Sequence, residues 1–424
     1  MRSVQGSTDR LRRLLRILGP GLIAGSADDD PSGIGTYAIA GASLGYLTLW
    51  TAIFTIPMMI AIQFICAKIS MVTHRGLAET LQRHYSGWIL YPALIALVGA
   101  NTVNAGADLG AMAAGVELLV PIPRGVVVPI VAVLLIAFML LGSYAVIEKT
   151  FKWLTLALLA YVGAAALAHP DWPAALVATV RPTVSLDGHY ISTVVALFGT
   201  VISPYLFFWQ SAEEVEEAKQ QSNRHTRLIK SINQRLHDRA IDVGAGMLFS
   251  NVITYFVILA TAATLNANGQ TDVNSATDAA RALQPLAGNA ASLLFAIGLI
   301  GCGVLAVPVL TGSAAYAVAG AQHWQSGLDR SFGRARRFYA VMIAATAVGA
   351  AINFTGINPF RALFISAVLN GLLAPPLLVL VMLLANRGSV MKDHRNNWLL
   401  NAAGWATTLV MGLAAIGAVL TSLS

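Results

Sequence analysis

Charge is scarce in this chain. Only 11% of its 424 residues are Asp, Glu, Lys or Arg, against about 25% in soluble domains, which excludes an ordinary soluble enzyme or a solvated nucleic-acid binder. Cysteine is nearly missing. Cys66 and Cys302 fall in different apolar stretches, so they suggest neither a disulfide framework nor a zinc site and read as small apolar packing residues. No polar stretch is long enough to be a soluble domain, and the eight histidines all lie outside or near the ends of the apolar stretches.

Apolar runs fill the space. Hydrophobic residues make up 56% of the chain and mean hydropathy is +0.68. Stretches of 18 residues or more, each able to cross about 30 Å of hydrocarbon, recur at roughly 18–45, 47–72, 88–118, 124–146, 151–168, 190–214, 240–265, 289–318, 336–355, 360–385 and 397–421. Backbone amides at that depth must be satisfied internally, so the eleven spans are expected to be helices. The basic start resembles a signal-peptide n-region, but the following stretch carries an acidic run and no convincing cleavage site, so it reads as a retained first helix.

Orientation follows from the basic residues. With the N-terminus in the cytosol, 23 of the 27 Lys and Arg residues fall in inside segments, and only Arg124, Arg181, Arg281 and Arg361 fall outside. That is the positive-inside pattern, and it accounts for the net charge of +7 through topology and anionic lipid, without nucleic acid. A multi-pass integral protein of a bacterial inner membrane is expected, with the bilayer as its surroundings and a monomer as its state. Between the sixth and seventh spans, residues 219–239 place Leu228, Ile232 and Leu236 four apart, which suits either an amphipathic surface helix or a solvated tether. The outside loop 266–288 is expected to hold a short helix over DAARAL capped by Thr277.

The strongest anomaly is Asp28, Asp29 and Asp30, followed by Pro31, in the middle of the first span. A carboxylate at bilayer depth costs about 2.5 to 3.5 kcal/mol on insertion scales, and no Lys or Arg stands beside these three. A bound cation is the natural partner. A second interruption, Gly199, Ser203 and Pro204, lies in the sixth span. Proline removes a backbone donor and crowds the preceding turn, so both spans are expected to unwind. The two breaks occupy matching places in spans one and six of a five-plus-five arrangement whose halves are inverted, because five is odd. Such paired breaks point to a midplane binding site in an inverted-repeat carrier.

These residues carry a family resemblance. GPGLIAGSADDDPSGIGTYAIAGASLGYLTLW, then THRGLAETL after the second span, then GTVISPYLFFWQS in the sixth, resemble the Nramp family of divalent-metal transporters over essentially the whole chain. The resemblance implies an all-α membrane protein of LeuT-like fold with eleven transmembrane helices, discontinuous first and sixth. It also implies a single transport domain over 1–424, with helices one to five in roughly 18–168, six to ten in 190–385, and an extra helix in 397–421. No permanent cofactor is implied, and the divalent ion is the substrate.

The family's first motif, Asp-Pro-Gly-Asn, reads Asp30-Pro31-Ser32-Gly33 here, so the aspartate ligand is kept and the asparagine is replaced by Gly33. Its Met-Pro-His motif reads Ser203-Pro204-Tyr205, a metal-binding carbonyl falls at Thr200, and a second histidine position holds Gln210. Asp108 falls close to an acidic position of the third helix. Losing the thioether leaves an all-oxygen site and admits hard cations, Mg²⁺ or Mn²⁺. In the missing methionine the chain resembles the family's magnesium-transporting branch. Losing both histidines removes the usual proton carriers, although adjacent aspartates could exchange protons for metal.

Each residue has a plainer role beside the functional one. Asp28 and Asp29 either join Asp30 at the ion or hydrogen-bond the freed amides, and Ser203 either ligates or bonds its own helix. Gly33 offers no ligand atom and suits close packing. Gln210, Glu213, Glu214 and Glu217 form either an acidic exit or a solvated helix end, with the solvated end favoured. Asp108 suits ion or proton passage, or pairing with Asn101 or Asn104, and Asn370 suits the pathway or polar contact between helices. An intramembrane aspartyl protease is disfavoured because its paired motifs are absent, so no enzyme is expected. An amino-acid carrier of the same fold would have its substrate carboxylate repelled by the three aspartates. A metal-sensing relative without transport is the remaining alternative.

Overall fold

The computed structural model describes residues 19–141, 159–223 and 231–423, and the described residues contain helices and no strand. The first span is two helices, α1 (Pro20–Asp28) and α2 (Pro31–Leu44). Next come α3 (Leu49–Thr73), α4 (Leu77–His84), α5 (Gly87–Leu119), α6 (Arg124–Leu141), α7 (Leu159–Leu167) and α8 (Trp172–Val180). The sixth span is again two helices, α9 (Gly188–Val201) and α10 (Pro204–Asn223). The longer helices that follow are α11 (Ile232–Thr264), α12 (Ala291–Ala321), α13 (Arg336–Ile352), α14 (Pro359–Asn386) and α15 (Trp398–Leu423).

Eight helical stretches of the described residues are long and apolar enough to cross a membrane. The difference from eleven has three sources. The first span is split and its second half runs on with α3 as one stretch, Pro31–Thr73; the fifth is described only over Leu159–Leu167; and the ninth span, α13, has 17 residues. Between α2 and α3 the chain turns at Gly45, whose φ of 59° is easy only for glycine.

Two expectations outside the spans are corrected. Ile232 and Leu236 belong to the first turns of α11, which starts at a Ser231–Gln234 capping box, so they form no separate surface helix; Leu228 lies outside the described residues. The loop helix spans Ala276–Ala280, and its cap is Ser275, whose hydroxyl accepts the Asp278 N–H, not Thr277. Sequence reading also passed over α4, between the second and third spans, and α8, in the loop before the sixth span.

Small residues set the packing around the breaks. A Cβ on Gly25 would lie 2.2 Å from the Gly246 carbonyl, and one on Gly21 would lie 2.5 Å from the Val243 nitrogen, so α1 lies flush on α11. A Cβ on Gly199 would lie 2.1 Å from the Ala367 carbonyl, which brings α9 equally close to α14. The α5 helix packs on α12, α13 and α14, while α11 packs on α1, α2 and α3. The two discontinuous spans are thereby enclosed by unbroken helices.

Candidate functional site

Both breaks lie where proline meets a capping side chain. Pro31 and Pro204 each take the first position of a new helix, where the missing N–H costs nothing. Asp30 is the N-cap of α2. Its Oδ1 accepts the Gly33 N–H at 2.6 Å and the Ser32 hydroxyl at 2.7 Å, and its Oδ2 accepts the Asn104 amide at 3.0 Å. The Asn104 carbonyl in turn accepts the Ser366 hydroxyl at 2.8 Å, linking α2, α5 and α14 through one carboxylate.

At the second break the Ser203 hydroxyl lies 2.7 Å from the Gly199 carbonyl and 2.6 Å from the Thr200 carbonyl, its one proton shared between them. Ser203 therefore closes the end of α9, which is the plainer of its two expected roles, and its oxygen retains acceptor capacity. The Thr200 side chain bonds back to Ala196 and Leu197 within α9. The halves meet through Tyr205, whose hydroxyl donates to the Ala27 carbonyl at 2.9 Å, while the Ser313 hydroxyl of α12 donates to the Tyr205 carbonyl at 2.7 Å. Gly33 sits against the Tyr37 phenol, where a Cβ would be 3.2 Å from the oxygen.

The acidic run divides. Asp30 turns toward α5 and α14, but Asp28 and Asp29 share the Ser250 hydroxyl of α11, at 2.7 and 3.2 Å. One oxygen of each, Asp28 Oδ1 and Asp29 Oδ2, is buried without a hydrogen-bond partner. Asp108 is fully buried too, with the Ser32 amide and Asp30 nearby, and neither carboxylate oxygen makes a hydrogen bond. Its expected alternative, pairing with Asn101 or Asn104, is not found: Asn101 donates to the Leu310 carbonyl and Asn104 to Asp30. Asn370 is buried with both side-chain polar atoms unpartnered, so it makes no polar contact between helices. Among the described residues, no three His, Cys, Asp or Glu side chains are grouped to hold a metal. An ion here would have to draw on carbonyl and hydroxyl oxygens as well as carboxylates.

The other acidic group needs correction. Gln210, Glu213 and Glu214 are buried, so they are no solvated helix end. Gln210 donates to Glu214 at 2.8 Å, and Glu214 forms an ion pair at 2.6 Å with Arg239 of α11. Arg239 also pairs with Glu217 and Asp242. Asp242 accepts the backbone N–H groups of Gly19, Gly21 and Leu22 at 2.8, 2.8 and 3.1 Å, capping α1. Sequence reading missed Arg239, Asp242, Ser250 and Tyr37. Asp242 and Ser250 were visible as isolated polar residues in the seventh span, and isolated polar groups in such spans seldom lack a function.

Comparison with known proteins places this geometry. Residues 21–421 match the family model Nramp, "Natural resistance-associated macrophage protein-like". The "Divalent metal cation transporter MntH" of Aeromonas hydrophila subsp. hydrophila is 27% identical over 414 residues, covering 95% of each chain. The protein of the same name from Burkholderia ambifaria is 26% identical over 417 residues, covering 97% of this chain and 90% of its own. In structure, the manganese transporter of Eremococcus coleocola aligns with TM-score 0.74 at 19% identity, covering 96% of this chain and 86% of its own. Mhp1, a nucleobase-cation-symport-1 family transporter, aligns with TM-score 0.56 at 14% identity, covering 94% and 92%. These likenesses establish a LeuT-like membrane fold. With the family model matched almost from end to end, this multi-pass membrane protein belongs to the Nramp family.

Proposed function

We propose that the chain carries a hard divalent cation, Mg²⁺ or Mn²⁺, across a bacterial cell membrane by alternating access, as one transport domain acting as a monomer. One observation carries the reading: Asp28, Asp29, Asp30 and Asp108 are all buried beside two facing helix breaks, and none forms an ion pair with a basic side chain among the described residues. The names of the bacterial relatives support a divalent ion. The donors around the breaks are oxygens, without thioether or imidazole, which suits hard ions that keep part of their water. Asp30, Ser203, Thr200 and Gly33 in the first turn of α2 form the transport site in this reading, with Asp108, Asn370, Tyr205, Gln210 and Glu214 along the pathway.

Tyr205 and Gln210 cannot carry protons as histidines do, and the ion is driven by its own gradient. Purified protein in liposomes is expected to take up Mg²⁺ and Mn²⁺ at similar rates whatever the imposed pH gradient, with Ca²⁺ as the third ion tested. No uptake of any of the three by folded protein would overturn the reading. Proton movement strictly tied to metal uptake would overturn its uncoupled form.

Ser203→Met introduces a soft sulfur donor at the second break. It is expected to raise uptake of Mn²⁺ or Cd²⁺ relative to Mg²⁺ by roughly tenfold, equivalent to about 1.4 kcal/mol of preference. Unchanged competition between the ions would show that position 203 does not face the ion.

A further inference from the structure

We propose that Asp28, Asp29 and Ser250, with the hydroxyls of Tyr37 and Thr254, form a second cation subsite beside the Asp30 transport site, taking a hard divalent ion in oxygen coordination. The inference rests on the transport reading but adds an ion to it. Its basis is the division of the acidic run: Asp30 is satisfied by Ser32, Gly33 and Asn104, whereas Asp28 and Asp29 face α11.

Both of these carboxylates lie within 3.2 Å of the single Ser250 hydroxyl oxygen. That hydroxyl has one proton to donate, so it cannot satisfy both. Each carboxylate keeps a buried oxygen with no hydrogen bond. The Tyr37 phenol is fully buried, with Asp28, Asp29 and the Thr254 and Thr200 side chains around it, and neither its oxygen nor that of Thr254 has a partner in good hydrogen-bond geometry. Buried polar atoms are ordinarily partnered; here the free carboxylate oxygens of Asp28 and Asp29, both held at Ser250, are joined by the Tyr37 and Thr254 hydroxyls as the oxygen donors of the subsite.

Charge decides which cation. Two carboxylates and three neutral hydroxyls, with no nitrogen or sulfur donor, match a divalent ion with oxygen preference. The Asp30 and Asp108 pair carries a second such charge. Holding all four carboxylates ionised takes two divalent ions, since a buried carboxyl without a cation takes up a proton instead.

Equilibrium dialysis of the purified full-length protein against Mn²⁺, read together with the Mn²⁺ paramagnetic resonance spectrum, tests the subsite. The parent is expected to bind about two Mn²⁺ per chain, with spectra broadened by their mutual dipolar coupling. An Asp28→Asn, Asp29→Asn double variant and Asp30→Asn should each retain about one ion and lose the broadening. Ser250→Ala removes only a hydroxyl and should weaken one of the two sites by about tenfold; it decides the matter if the double variant does not elute as folded protein. One ion per chain in the parent, lost in Asp30→Asn and indifferent to Ser250→Ala, would overturn the second subsite and leave the transport reading standing. No ion bound by the parent would overturn both.

Discussion

Asp30→Asn is expected to abolish metal uptake while leaving the protein folded. The two roles of Asp30 are separable by this change, because asparagine caps a helix about as well as aspartate. The Gly33 N–H, now 2.6 Å from Oδ1, can be met by an amide oxygen, so α2 can still begin at Pro31. The negative charge cannot be replaced. Changes to groups that merely support a metal ligand cost 10 to 100-fold in affinity, so loss of a charged ligand should lower uptake by at least about 100-fold. Asp30→Ala also removes the cap, at about 1 kcal/mol, and should be equally inactive but less stable to heating. Uptake in liposomes gives the first readout and thermal unfolding in detergent the second. If Asp30→Asn carried Mg²⁺ or Mn²⁺ as well as the parent, the ion would have to be bound elsewhere along the breaks.

Both breaks were legible in the sequence, and the structure shows why. Proline alone does not mark them, since Pro57, Pro92, Pro129, Pro308, Pro375 and Pro376 all lie inside continuous helices. What distinguishes Pro31 and Pro204 is the residue before each. Asp30 and Ser203 offer side-chain oxygens that cap the new helix or close the old one, so the backbone groups freed by the break have local partners. The six other prolines follow Ile56, Tyr91, Val128, Val307, Ala374 and Pro375, none of which has a short side-chain oxygen that reaches the adjacent backbone. Most span positions among the described residues were legible for the same local reason, being set by apolar length.

Partnerships between distant residues were not legible. Glu214 and Arg239 are separated by an inter-span connection, and the helical spacing of Gln210, Glu213, Glu214 and Glu217 looks the same whether the face is wet or buried. Only the approach of α11 brings the guanidinium to them. The split of the acidic run was hidden too, because adjacent aspartates at a helix end point in directions fixed by the unwound backbone at Asp29 (φ −81°, ψ 54°).

Arg239→Met is expected to open the side of the protein that the basic residues place in the cytosol. Among the described residues Arg239 pairs with Glu214 and Glu217 of α10 and with Asp242 of α11, and Asp242 holds the first amides of α1. Through it the two half-helices on that side, α1 and α10, are tied to the same point on α11. Methionine keeps the apolar stem and removes the charge, leaving Glu214 and Asp242 as buried acids without their cation. Breaking a buried ion pair in this way costs about 3 to 5 kcal/mol, and since the cost falls on the arrangement in which α1 and α10 are both tied to α11, it shifts the equilibrium toward one in which they part by at least about 100-fold. Cys302 of α12 reports the shift: it is buried, a free thiol, and close to Asp29, Asp30 and Asp108. With Cys66 replaced by alanine, a membrane-impermeant thiol reagent applied from the cytosolic side should label Cys302 about 100-fold faster in Arg239→Met than in the parent. A labelling rate unchanged in folded protein would mean that the Arg239 network holds the helices together without controlling access to the breaks.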